Sequence, residues 1–182
     1  FNVFGVGSGA LKLVPFLFSA GTVVAIYYLA RLTLGGQVAV FSLFITALGT
    51  PFWNNWASRA GTGYVEATFL GGVILILGYK FSRQIPDLMG KDPRSSAQKF
   101  FVLGLLSGLG FWVQPTIVYA VLPVLIFLAL NLGFLRVTKL MPLFVVGLLA
   151  SAAPVVYYNL FVRVSGTTDA LLKMPWGVRG SF

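Results

Sequence analysis

Glu66, Asp87, Asp92 and Asp169 are the only carboxylates in 182 residues, and neither Cys nor His occurs. That composition excludes disulfides, thiolate metal sites, Cys nucleophiles and any triad built on an imidazole base. Carboxylates, amides, Tyr and Arg are what is left to do chemistry. Asp87 and Asp92 fall in a polar stretch and Asp169 in a polar tail, so Glu66 is the one acid beside a long apolar run. If that run crosses a bilayer, a charge at its centre costs roughly 2.5–3.5 kcal/mol on insertion scales, and acids so placed tend to be paired or functional. Arg59 precedes Glu66 by seven residues, which puts both on one face if the stretch between them is helical. Gly61 and Gly63 weaken a helix there, so the two could equally meet across a loop. Functionally, Arg59 would bind an anionic head group and Glu66 would orient it or a metal. The plainer alternative is an interfacial acid, solvated or paired with Arg59 for topology alone.

Asn54, Asn55, Trp56, Gln114, Tyr119 and Asn159 lie at or near the ends of apolar runs. Amides beside aromatic faces suit a sugar ligand. Singly, each amide also serves as a helix cap and each Trp as an interfacial anchor.

The elements that must carry these residues are membrane helices. The chain is 58% hydrophobic and 9% charged, with mean hydropathy +0.90, whereas a soluble domain has roughly 25% charged residues. Net charge is +9. The basic residues are spaced between apolar runs, which points to orientation in a membrane, with lipids and not nucleic acid as the partner. Because the chain begins at Phe1 with no basic region or cleavage site after it, it reads as an internal piece of something longer.

The pattern predicts an all-α, polytopic membrane helix bundle of about six spans, at about 12–30, 37–53, 64–79, 100–114, 115–132 and 140–161. Together they form a membrane domain over 1–162. Residues 80–99, with five basic residues, two acids, Pro86 and Pro93, read as an exposed cytoplasmic loop. Residues 163–182 read as an extracytoplasmic tail beginning a further segment. The run 100–132 would be about 50 Å long as one helix, against a hydrocarbon core of about 30 Å. Gln114-Pro115 divides it, since Pro lacks a donor and disfavours helix in the residue before it. One long kinked helix, with five spans in all, is the alternative.

With six spans, one face receives eight Lys and Arg residues and the other five, or two when the tail is set aside. The richer face is then cytoplasmic. Trp53, Trp56, Trp112 and Trp176 would all fall at the opposite face, where indole favours the interface. Gly104 and Gly108 form a G-x-x-x-G that suits close helix packing.

The order of several short motifs resembles the C-type membrane glycosyltransferases, a group that includes protein O-mannosyltransferases and aminoarabinose transferases. These motifs are Phe4-Gly5-Val6-Gly7, Ala10-Leu11-Lys12-Leu13-Val14-Pro15 with a span ending Tyr28-Leu29-Ala30-Arg31, Ser58-Arg59, Gly108-Leu109-Gly110-Phe111-Trp112 leading to Gln114-Pro115, and Pro154 before Tyr158-Asn159. The resemblance covers nearly the whole chain, and its specificity lies in order and spacing. It implies the central membrane part of an enzyme moving a sugar from a polyprenyl-phosphate carrier to an acceptor at the extracytoplasmic face. It also implies a bacterial or archaeal inner (plasma) membrane as location. The family's catalytic acid lies in an outer loop before the helix that opens this sequence, and no residue here matches it, so the catalytic base is expected outside the chain. Arg59 is the residue that could inherit the contact to the carrier phosphate. Some relatives use His as a metal ligand; this chain has none, so no metal is assigned. The lipid-linked sugar is the expected substrate, and Arg59, Glu66, Asn55, Trp56, Gln114 and Asn159 are the candidate binding residues. Two other classes compete: a membrane transporter or flippase, against which stands the scarcity of charge inside the spans, and a non-catalytic subunit bound to other membrane proteins.

Overall fold

The computed structural model describes residues 8–49, 63–88 and 93–157. Within them the chain forms helices α1 (Ser8–Thr33), α2 (Gly36–Leu48), α3 (Tyr64–Leu88), α4 (Pro93–Val113), a 3-10 turn (Pro115–Ile117), α5 (Val118–Leu132) and α6 (Phe134–Tyr157). Five stretches are long and apolar enough to cross a membrane: Lys12–Thr33, Tyr64–Gln84, Arg94–Val113, Pro115–Leu132 and Phe134–Pro154. Together with the short apolar α2 they form the expected polytopic helix bundle.

Helix ends follow local chemistry. Gly35 and Gly133 adopt φ of 96° and 89°, left-handed values that cost an L side chain roughly 1–2 kcal/mol. The Gly133 N–H returns to the Ala129 carbonyl at 3.0 Å and closes α5. Between α4 and α5, Gln114 is extended (φ −161°, ψ 125°) and Pro115 opens the 3-10 turn. The expected division of 100–132 therefore falls at Gln114-Pro115.

Two expected boundaries are corrected. The span placed at 37–53 is a helix only to Leu48, where Gly49 at φ 57° ends it; its 13 residues make about 20 Å, less than the hydrocarbon thickness. The stretch 80–99, expected as a loop, is helical over 80–88 and 93–99. Lys, Arg and Gln are good helix formers. Pro86 falls in the last turn of α3, and Pro93 takes the first position of α4, where no donor is needed.

Helix directions can be read from which residues touch. A Cβ added at Gly72 would meet Ala25, at Gly71 Ala120, and at Gly78 Val124. Positions advance together along α1, α3 and α5, so these three run parallel. Gly63 abuts the Val113 carbonyl and Lys99 lies over Phe81, so α4 runs against α3. The two parallel helices α4 and α6 meet backbone to backbone: a Cβ on Gly104 would strike the Phe144 carbonyl, one on Gly108 the Leu148 carbonyl, and one on Gly147 the Phe101 carbonyl. The Gly104/Gly108 pair is thus a packing motif.

The core joins α3 to α6 through Ile74, Phe81, Phe100, Leu103, Leu128 and Phe144. Outward faces are apolar, with Phe16, Phe41, Leu48 and Leu130 exposed, as lipid contact requires. Several hydroxyls along the spans donate to carbonyls within their own helix, as from Thr22 to Phe18 at 2.9 Å and Ser107 to Leu103 at 2.8 Å, because lipid offers no partner.

Gly104→Val should destabilise the protein by about 1–3 kcal/mol, the usual cost of overpacking. Gly36→Ala, at a site with nothing within 4 Å of an added Cβ, should be neutral or slightly stabilising. Thermal melts of the two variants in detergent check the contrast.

Candidate functional site

The starts of α1, α3 and α5 and the ends of α4 and α6 lie at one end of the bundle. Arg31, Lys80, Arg83, Arg94, Lys99, Arg136 and Lys139 sit towards the other. Gly63, at φ 70°, is pressed against the Val113 carbonyl, 2.7 Å from where its Cβ would be. That contact sets the first turn of α3 beside the end of α4, and so brings Glu66 and Gln114 to the same end.

Glu66 is half-buried in the first turn of α3. There the unpaired backbone N–H groups of a helix start favour a negative charge. Gln114 is buried, 8% exposed. Its N–H donates to the Gly110 carbonyl at 2.8 Å and its carbonyl accepts from Ile117 at 3.1 Å, so its backbone spans the break between α4 and the turn. Trp112 is half-exposed at this end, and Tyr119 is 83% exposed. Arg59, Asn55, Trp56, Asn54 and Asn159 lie outside the described residues.

A cavity of about 510 Å³ opens between α1, α3, the 3-10 turn and α5. Its lining includes the polar side chains of Tyr64, Thr68, Thr116 and Tyr119, which form its rim, and the small residues Ala25, Ala67, Gly71, Gly72 and Ala120. Neither Glu66 nor Gln114 lines it. From Tyr64 to Leu75 the cavity follows α3 for about 16 Å, half the hydrocarbon core. A second cavity of about 220 Å³ continues the line, sharing Leu29 and Leu75 and reaching Tyr79 and Phe127. Sequence reasoning missed Tyr64, Thr68 and Thr116. The spacing of Tyr64, Thr68, Gly71 and Leu75, three or four residues apart on one helical face, carries the signal. Among the described residues no three of His, Cys, Asp and Glu assemble.

These features define an integral, multi-pass membrane protein with a lipid-depth cleft between its helices. The family model for dolichyl-phosphate-mannose-protein mannosyltransferase matches residues 1–158. The chain therefore belongs to that family and, with it, to the C-type membrane glycosyltransferases. No curated protein and no solved structure matches it.

A charge at a helix start contributes about 0.3–1 kcal/mol, so Glu66→Gln should lower thermal stability by no more than that. A melt showing several times that loss would place Glu66 in a buried ion pair instead.

Proposed function

We propose that the chain forms the central membrane part of an enzyme that transfers a sugar from a polyprenyl-phosphate carrier to an acceptor at the extracytoplasmic face. The cleft carries this reading. It is apolar along its length, as an isoprenoid chain needs, and it ends in a rim of hydroxyls beside the less basic end of the bundle. Positive charge gathered at the opposite end supports a cytoplasmic assignment for that end, which leaves the rim outside. Membership in a family described by a dolichyl-phosphate-mannose donor supports a lipid-borne sugar.

In this reaction the acceptor hydroxyl oxygen attacks the anomeric carbon, the bond from that carbon to the carrier phosphate oxygen breaks, and a carboxylate takes the hydroxyl proton. No residue of this chain is assigned as that base. Arg59 would hold the departing phosphate through charge-assisted hydrogen bonds. Asn55, Trp56 and Asn159 would face the sugar, Gln114, buried beside the cleft and not lining it, would hold the turn that carries Thr116, and Glu66 would orient Arg59 or the phosphate.

Two variants of the full-length protein test the reading. Arg59→Ala should abolish sugar transfer without lowering membrane abundance. Ala67→Phe, which fills the rim of the cleft, should lower transfer by at least about tenfold, the cost of a donor misplaced at the reacting centre. Radiolabelled sugar transfer in membrane preparations is the measurement, and unchanged transfer in both variants would remove the assignment.

A further inference from the structure

The smaller cavity lies at the basic end of the bundle, between α1, α3 and α5. Leu29, Leu75, Pro123, Val124 and Phe127 line it, with Tyr79 as the sixth wall. Tyr79 stacks on Phe127 with ring centroids 6.4 Å apart and planes at 14°, and two cations outside the lining lie on residues beside it. Arg83 donates from Nη2 to the Tyr79 hydroxyl at 3.0 Å, its guanidinium 5.4 Å from the ring centroid. One turn earlier, Lys80 Nζ lies 4.8 Å from the centre of the Tyr28 ring, next to Leu29. Asp87 follows Arg83 on the next turn of α3, but Arg31, Lys99, Arg136 and Lys139 leave this end strongly positive.

We propose that this cleft binds one anionic glycerophospholipid of the adjoining leaflet, its phosphate between Lys80 and Arg83 and an acyl chain along Leu29, Leu75 and Phe127. One phenol does not exhaust the five N–H donors of a guanidinium, so Arg83 can hold a phosphate oxygen while bonded to Tyr79. Positive charge around the mouth attracts an anionic head group and repels the ammonium of a zwitterionic one. This site is at the opposite end of the bundle from the rim assigned to the sugar donor, and it does not rest on that assignment.

The test uses full-length protein in nanodiscs of equal phosphatidylglycerol and phosphatidylcholine, with retained lipid counted by native mass spectrometry. Retained phosphatidylglycerol should exceed phosphatidylcholine, and the double variant Lys80→Gln, Arg83→Gln should lower it roughly tenfold. Pro123→Trp, which narrows the cleft and keeps both cations, should lower it as well. The double variant touches no core residue, so its result decides the matter even if Pro123→Trp fails to fold. Equal retention of the two lipids, unchanged retention in the double variant, or displacement of phosphatidylglycerol by added polyprenyl phosphate would overturn the proposal.

Discussion

Lipid tails are as apolar as Leu, so helices within a bilayer gain little by burying apolar side chains against each other and must gain it by close contact. Gly104, Gly108 and Gly147 supply that contact between α4 and α6, where carbonyls of each helix occupy space a Cβ would need. The pairing forms one wall of the bundle. Phe100 and Leu103 of α4 and Phe144 of α6 share one core with Ile74 of α3 and Leu128 of α5, so the positions of α3 and α5, and the cleft between them, depend on it. Small residues also let α3 approach its other neighbours, Gly71 against Ala120 of α5 and Gly72 against Ala25 of α1, and the same residues line the cavity.

Parallel α1, α3 and α5 bring their starts to one end, and α1 and α3 carry Arg31, Lys80 and Arg83 to the other. Charge separation and chemistry are thereby coupled. The hydroxyl rim, Glu66 and Gln114 occupy one interface, whereas Arg83 and Lys80 rest on aromatic rings at the other. Two cavities that share the lining residues Leu29 and Leu75 lie towards ends of different charge.

Some of this was legible residue by residue. Pro115 acts on its immediate neighbours, so the break at Gln114 was readable without any tertiary contact, and so was the packing role of Gly104 and Gly108. The loop expected at 80–99 was misjudged because polarity was taken as a sign of irregular backbone, when Lys80 and Arg83 continue a helix and reach the interface along Tyr28 and Tyr79. The early end of the second span was likewise missed, since only the left-handed φ at Gly49 distinguishes that glycine from the many tolerated inside spans.

The sequence by itself determined that the protein lives in a membrane, most of the apolar stretches long enough to cross it, where its charges lie and which family its ordered motifs resemble, because these follow from hydropathy, local backbone preference and counts along one chain. Tertiary structure alone decided that α6 is the partner of the Gly104 motif and that Glu66 stands at the same end as Gln114 but outside the cleft. It also decided that Tyr64 and Thr68 meet Thr116 and Tyr119 across a void. Such facts depend on distances between helices far apart in the chain, and in lipid those distances are set by side-chain size at each contact, which no periodicity records.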